Sequence, residues 1–295
     1  RPGQFVLLGS TEFSKEFQIR ESLTGRVLRT RLYTLTLREC LEKPLPKNFT
    51  PFASDTELSR SHLMNHLDRG GFPGIFAIRD EAARDELLRG WVSVTLERDL
   101  QLFKKVKFDS ELASRILYQV AQLPEPTAAL ISRSLKKDTR MIQKYLDAFT
   151  TLFVLHRLNP SQGSTGKPRY YVCDVALVGL LGGAFERKLE TWVFHELLAR
   201  MSYLGRADLD ITFYRNTKGS TLQWILQDKK NPKNLTAVRL VSTERFDLRD
   251  TELLKSFYSK MASQGIKPRL ILLAPHEMAL GIPDVEVLPW ESAAG

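Results

Sequence analysis

The chain has 295 residues, 43% hydrophobic and 26% charged, which excludes a disordered polymer and leaves room for two or three domains with cores of their own. A formal charge of +9 and a sequence pI near 9.5 favour nucleic acid or another polyanion as partner over an acidic protein surface. Cys40 and Cys173 lie far apart with no CxxC, so neither a zinc ribbon nor a disulfide framework is indicated and a cytoplasmic setting fits; no apolar run reaches membrane-span length, and no signal-peptide core is present.

Phe5 to Leu8 is wholly apolar and ends in Gly9-Ser10, the pattern of a parallel strand buried on both faces. Ligands gather at the carboxyl ends of such strands, so Ser10 is either a contact for a nucleotide phosphate or a plain turn serine. A buried strand at the very start implies chain upstream of Arg1. A helix-compatible segment from Lys15 to Leu23 and a second apolar strand from Val27 to Tyr33 follow, and Thr36 caps a helix containing Leu37 and Leu41.

Residues 44–56 carry three prolines and no clear period, which reads as a loop between modules. Helical pattern returns at Leu58 to Leu67 and stops at Gly70-Gly71-Phe72-Pro73, where two glycines demand a fixed turn. Helices are expected at Ile75 to Arg79, Glu81 to Leu100 and Ser110 to Gln122, before Pro124 and Pro126 break the pattern. Lys104-Lys105-Val106-Lys107-Phe108 adds a basic patch between them, read mainly as a solvated loop.

Residues 126–174 read as a helix-turn-helix followed by a wing. Ala129, Leu130 and Ile131 fall at helical spacing, a polar turn runs from Ser132 to Lys137, and Asp138 is a good N-cap for a second helix. In that helix Met141, Ile142, Tyr145, Leu146 and Phe149 form one apolar face, while Arg140, Gln143, Lys144 and Asp147 point away. A strand from Leu152 to Leu158, a turn-rich loop and a strand from Arg169 to Cys173 complete a hairpin. Lys136, Lys137, Arg140 and Lys144 would lie near phosphates if the second helix met duplex DNA. The same fold serves equally as a protein-interaction module with a solvated basic face.

Beyond the wing, a short helix at Val175 to Leu181 precedes a long amphipathic one from Glu186 to Tyr203, with Leu189, Trp192, Val193, Leu197 and Met201 as its buried stripe. Strands are expected at Ile211 to Tyr214, Leu222 to Gln227, Ala237 to Val241, Arg269 to Leu273 and Val285 to Leu288, with a helix from Asp250 to Ser263. This order of elements resembles the core of restriction-endonuclease-like folds.

Little in the chain carries chemistry by itself. Gly163-Ser164-Thr165-Gly166-Lys167-Pro168 fails the phosphate-loop pattern, since Ser161 stands where Gly is needed and Pro168 where Ser or Thr is needed. His62 and His66 share a helix face but lack the glutamate and third ligand of a zinc site, and read as surface histidines. His195 and Glu196 are adjacent and diverge around their helix, so neither is assigned a catalytic role. No nucleophile elbow appears.

Six short motifs in order resemble the prokaryotic AAA-type P-loop ATPases that carry a winged helix and a C-terminal domain of unknown function. They are Leu7-Leu8-Gly9-Ser10 with Glu21-Ser22-Leu23-Thr24-Gly25-Arg26; Gly70-Gly71-Phe72-Pro73; Trp91 with Thr95-Leu96-Glu97-Arg98-Asp99; the spacing from Leu130 to Leu146; Asp174 after an aromatic strand; and Glu190 with Glu196-Leu197. The resemblance implies a division into an ATPase remnant at 1–43, a helical lid at 44–110, a winged helix at 111–174 and a nuclease-like α/β domain at 175–295. It implies that the Walker elements precede Arg1, that Ser10 and Arg26 lie near the nucleotide, and that ATP and Mg²⁺ serve the full-length protein, this chain alone needing no cofactor. It allows self-association through the ATPase part, with Arg26 acting on a neighbouring subunit. The family's metal-binding carboxylates and lysine align with Gln223, Arg239 and Val241, so the domain is expected to be nuclease-inactive. The overall expectation is the C-terminal portion of an ATPase with a DNA-binding winged helix, or alternatively a non-enzymatic DNA-binding or adaptor protein.

Overall fold

Ten α-helices and seven β-strands lie among the described residues of the computed structural model, which are 8–9, 30–53, 57–102, 107–245, 248–277 and 284–295. The first helix, α1 (Leu37–Cys40), is short and held by a capping box: the Thr36 hydroxyl accepts from the Glu39 amide, and the Glu39 carboxylate accepts from the Thr36 amide. Upstream of it, most of the expected strand from Phe5 to Leu8, the helix-compatible segment from Lys15 to Leu23 and the start of the expected strand from Val27 to Tyr33 lie outside the described residues. Leu8 is 81% exposed, and residues 30–33 form no strand. Instead of pairing in a sheet, this segment satisfies its backbone on a distant helix, the Arg31 carbonyl accepting from Ser202 Oγ at 2.8 Å and the Tyr33 amide donating to the Tyr203 hydroxyl at 3.0 Å.

Helix α2 (Arg60–Arg69) starts at Ser59 and ends at Gly70, whose φ of 69° only glycine adopts without strain. Proline opens α3 (Pro73–Phe76), which ends three residues earlier than the sequence suggests. Helix α4 (Glu81–Val94), capped by Asp80, does not continue as one α-helix to Leu100. It widens into a π turn over Thr95–Asp99 and tightens over Leu100–Leu102. The Thr95 hydroxyl donates to the Trp91 carbonyl at 2.9 Å, competing with the backbone ladder where the pitch changes.

Helices α5 (Ser110–Gln122), α6 (Ala128–Leu135) and α7 (Thr139–Thr151) pack with a hairpin of β1 (Leu155–Pro160) and β2 (Arg169–Val172) around Ile116, Val120, Ile131, Ile142, Leu146 and Phe149. The hairpin begins later than expected because α7 runs to Thr151 and Phe153, at φ 59°, turns the chain before β1. Met141, expected on the buried face, is 42% exposed, and Gln143, expected outside, is half-buried.

After α8 (Val175–Leu180), α9 (Phe185–Tyr203) is the centre of the molecule. The sequence predicts a single apolar stripe, yet α9 is buried on nearly every side, taking Arg187, Thr191, His195, Glu196 and Arg200 inward with Leu189, Trp192, Val193, Phe194 and Leu197. The sheet covers one side, and α1, α2 and α8 cover others. Each large apolar side chain buried there stabilises the fold by about 1.5–3 kcal/mol.

The strands β3 (Leu209–Arg215), β4 (Thr221–Asp228), β5 (Leu235–Leu240), β6 (Arg269–Ala274) and β7 (Val285–Pro289) join the hairpin in one mixed sheet of order β2-β1-β3-β4-β5-β6-β7. Three pairings are antiparallel (β1·β2, β3·β4, β4·β5) and three are parallel (β1·β3, β5·β6, β6·β7). One face packs on α9 through Trp224, Leu226, Val238 and Ile271. The other packs on α10 (Glu252–Ala262) through Ile225, Ala237, Leu270 and Leu272. The boundary expected at 174/175 is bridged by this sheet, because β1 meets β3 at Asn159↔Thr212 and Pro160↔Phe213.

Candidate nucleic-acid interface

The turn between α6 and α7 is rigid before any partner meets it. Lys136 closes α6 in the left-handed conformation, φ 52°, and the Asp138 carboxylate accepts from the Arg140 and Met141 amides at 2.9 and 3.0 Å. Ser132 Oγ donates to the Lys137 carbonyl at 2.6 Å. Around this turn Lys136, Lys137, Arg140 and Lys144 are all exposed, and none makes an ion pair among the described residues. Arg133, which the sequence reading left inside a polar turn, is an exposed fifth cation. Its signal was its place on the last turn of α6. Met141 stands exposed among them, although its chain neighbour Ile142 is buried. Gln143 turns inward and donates to the Tyr170 hydroxyl and to Asp147, both at 2.8 Å, which ties α7 to β2.

The loop between β1 and β2 does not project freely. The Ser161 amide donates to the Phe213 carbonyl at 2.8 Å, the Thr165 amide to the Arg215 carbonyl at 3.0 Å, and the Arg215 amide to Ser164 Oγ at 3.0 Å. Gly166 lies so close to the Phe213 ring that an added Cβ would sit 2.4 Å from it. The hairpin tip is therefore stitched to β3.

At the other end of this unit, Asp174 clasps the glycine turn. Its carboxylate accepts from the Gly71 amide at 2.9 Å and from the Ala176 amide at 2.8 Å, capping α8. Burial raises the Asp174 pKa, while hydrogen bonds from Thr34, Ala176 and Gly71 oppose the rise. The Leu35 amide donates to the Gly71 carbonyl at 2.7 Å, and the Leu37 amide donates to Glu196 Oε1 at 2.7 Å. Trp192 Nε1 donates to the same oxygen at 3.1 Å. Two sequence motifs flagged separately, the glycine turn and the Asp after the aromatic strand, thus form one structural joint.

The histidines of that joint are not surface groups. His66 is buried, in contrast to the sequence reading, because α2 turns it toward His195 of α9. Burial lowers the His66 pKa to about 3 and the His195 pKa to about 4, and burial pushes Glu196 up to about 7. Glu196 Oε2 has no hydrogen-bond partner among the described residues.

The nuclease-aligned positions come together at one end of the β4·β5 pair. Gln223 Oε1 accepts from the Leu240 amide at 2.9 Å, and Arg239 Nη1 donates to the Thr221 carbonyl at 3.0 Å. Val241 is buried, its amide bonded to the Leu273 carbonyl and its carbonyl accepting from Trp290 Nε1 at 2.8 Å. A hard divalent cation requires several oxygen ligands, usually carboxylates. This set offers one amide oxygen, already engaged, beside a guanidinium, so the residues present do not fit Mg²⁺. Glu190, on α9, accepts from Arg187 at 2.9 Å and from the Tyr171 hydroxyl at 3.4 Å. Ser10 and Arg26, the nucleotide-proximal expectations, lie outside the described residues.

Sequence reading missed Glu125, which joins the helical unit to the sheet. Its carboxylate accepts from Arg169 and Arg215, and Thr221 Oγ1 lies 3.3 Å away. The signal was present, since a glutamate between Pro124 and Pro126 is held on a stiff backbone.

Among the described residues no helix is long and apolar enough to cross a membrane. A family model described as a domain of unknown function (DUF8612) matches residues 60–188. Uncharacterized proteins of Mycobacterium tuberculosis and Mycobacterium bovis are each 28% identical over 193 residues, 63% of this chain and 40% of theirs. An uncharacterized protein of Methanocaldococcus jannaschii is 24% identical over 229 residues, 70% of this chain and 51% of its own. The chain thus spans about half or less of the length of these relatives. No solved structure matches it significantly.

Proposed function

We propose that the chain is the non-catalytic, DNA-docking C-terminal portion of an AAA-type ATP-binding protein, with α5, α6, α7 and the β1·β2 hairpin as its winged helix. The observation that carries this reading is the cluster of exposed cations, without an ion pair among the described residues, on a preorganised turn: Arg133, Lys136, Lys137, Arg140 and Lys144. Laid against a duplex, these side chains neutralise phosphates and release counterions, and the rigid turn reduces the entropy lost on docking. The strands 209–289 with α9 and α10 form the restriction-endonuclease-like unit of the proposal, and the mismatch of Gln223, Arg239 and Val241 to a metal site supports a binding role without cutting. ATP and Mg²⁺ belong to the longer protein, where Ser10 and Arg26 lie near the nucleotide and the ATPase parts associate.

The test is titration of the chain against duplex DNA at several salt concentrations. Binding should weaken steeply with salt, and reversing Lys136, Lys137, Arg140 and Lys144 to glutamate should remove it. Absence of duplex binding at low salt refutes the DNA role. For the ATPase part, Arg26→Ala in a longer protein should lower ATP turnover; unchanged turnover removes that role from Arg26.

The stitched hairpin tip supports a second reading. A wing fixed to β3 is not available to enter a groove, which favours a protein partner on the same basic face and a non-enzymatic adaptor role.

A further inference from the structure

Residues 31–36 run without forming a strand into α1 and are fastened to the second half of α9. The Arg31 carbonyl accepts from Ser202 Oγ at 2.8 Å, the Tyr33 amide donates to the Tyr203 hydroxyl at 3.0 Å, and Thr34 Oγ1 lies 3.0 Å from His195 Nε2. Glu196 is the next fastener along the segment. Its Oε1 accepts from the Leu37 amide at 2.7 Å and from Trp192 Nε1 at 3.1 Å, so one oxygen ties α1 to α9. Leu35, two positions before that amide, is bonded through its own amide to the Gly71 carbonyl, which carries the fastening on to the glycine turn.

The other oxygen of Glu196 is stranded. The residue is 0% exposed, and Oε2 has no hydrogen-bond partner among the described residues. Arg200, one turn along α9, donates instead to the Ala293 and Thr50 carbonyls at 3.0 and 3.3 Å, and Arg38 Nε of α1 donates to the Pro44 carbonyl at 2.9 Å. Glu39 of α1 repels the charged form, and the Cys40 thiol and the Tyr203 hydroxyl face it as neutral groups. A buried carboxylate with an oxygen that lacks a donor is disfavoured in its charged form, whereas the acid carries no charge to bury. Burial outweighs the two donors and the Arg200 charge, and raises the Glu196 pKa to about 7.

We propose that Glu196 is a proton-operated latch, which holds residues 34–41 closed on α9 while it carries its proton and loosens them when the proton is lost. The closed segment accommodates the neutral acid. The carboxylate, by contrast, gains water at Oε2 only when the contact between α1 and α9 opens. Opening therefore releases a proton, and it is favoured as pH rises from the ordinary glutamate pKa to the raised one. Above about 7 both forms are ionised and the effect levels off. The latch does not depend on the DNA reading.

Amide hydrogen exchange of the whole chain, read by mass spectrometry from about pH 5 to about pH 8.5, tests the latch. At each pH the native chain is compared with Glu196→Gln, which keeps the shape of the neutral acid and cannot ionise. The ratio cancels the intrinsic pH dependence of exchange. It also cancels the other titrating groups around the segment: His195 and His66, whose protonation favours opening on the acid side, and Asp174, which accepts from Thr34. Opening of residues 34–41, native over variant, should rise about tenfold per pH unit between roughly pH 5 and 7 and then level off. The same residues should be less protected than residues 142–149 of α7. A ratio that stays constant across the range overturns the latch, and so does protection equal to that of residues 142–149 at every pH, because the segment then opens only with the whole fold. Cys40 of α1 gives an independent reading, since its labelling at about pH 8 should be slower in Glu196→Gln. Electrostatics without a latch gives the reverse order, because the Glu196 charge raises the Cys40 pKa, so faster labelling in the variant overturns the proposal. Should Glu196→Gln fail to fold, Trp192→Phe removes one donor to Oε1 and keeps the carboxyl. Its opening should go on rising to a higher pH than that of the native chain, and levelling at the native pH overturns the latch.

Discussion

Asp174 and Gly71 stand 103 positions apart in the chain, and the Asp174 carboxylate accepts from the Gly71 amide at 2.9 Å. Through that bond α8 is fastened to the turn after α2, and Leu35 closes over the same turn. An added Cβ at Gly71 would sit 2.1 Å from the Leu35 carbonyl oxygen, a backbone atom that cannot swing aside. Gly71→Ala should therefore cost more than about 3 kcal/mol or prevent folding, by overpacking a closed joint. Asp174→Ala should cost about 1–3 kcal/mol, because it leaves buried amides without acceptors. Urea unfolding monitored by tryptophan fluorescence measures both; a Gly71→Ala protein as stable as the native chain contradicts this account of the joint.

Stability should depend on pH through the buried groups of the same region. His66 and His195 stay neutral in the fold well below the ordinary histidine pKa, at about 3 and about 4. The unfolded chain then binds more protons, so stability is full above pH ~6.5 and falls as the medium is acidified toward pH 4. Glu196 acts in the opposite sense: with its pKa raised to about 7, the fold holds a proton that the unfolded chain releases, and stability declines as pH rises from ~4.5 to ~7. Glu196→Gln should thus steepen the acid-side loss by about 1.4 kcal/mol per pH unit in that window, and His66→Gln should flatten it by a similar amount. Parallel profiles for native and Glu196→Gln proteins would place the Glu196 pKa near its ordinary value.

Asp138 satisfies two amides at the start of α7, and its loss should be felt locally. Asp138→Ala should lower stability by about 1 kcal/mol, and by loosening the turn it should also weaken duplex binding. Asp138→Ser, which keeps a capping oxygen, should recover most of the stability. A Ser variant no better than Ala would mean that the carboxylate acts by charge and not as a cap.

The mismatch at Gln223, Arg239 and Val241 predicts that millimolar Mg²⁺ neither raises the unfolding temperature of this chain nor supports cutting of DNA or RNA. Magnesium-dependent cleavage that survives Glu190→Gln and Gln223→Ala would point to a different metal site.

Both thiols should be slow to react. Burial pushes Cys40 up to about 12, with Glu196 and Asp174 adding to the rise, and burial pushes Cys173 higher still. Labelling with a thiol reagent at pH 8 should be slow in the native chain and complete for both cysteines in denaturant; rapid native labelling would contradict the burial described.

The sequence by itself determined most of the local structure. Asp138 and Thr36 announced their caps, the apolar period of Ile142, Leu146 and Phe149 drew α7, and the β-rich runs after residue 209 drew five strands within a few residues of their bounds. These features depend on hydrogen bonds and side chains a few positions apart, so they are written in short windows. Only the tertiary structure decided which faces are buried. Glu186 to Tyr203 reads as amphipathic, yet His195, Glu196 and Arg200 are inside, because elements more than a hundred positions away close over that helix. The meeting of Glu125, Arg169, Arg215 and Thr221 was equally hidden: it arises from the register of β3 on β4 and the joining of β1 to β3, and strand pairing across such separations leaves no local periodicity. Met141 shows the same limit from the other side: it falls on the periodic apolar face, yet the fold leaves it 42% exposed.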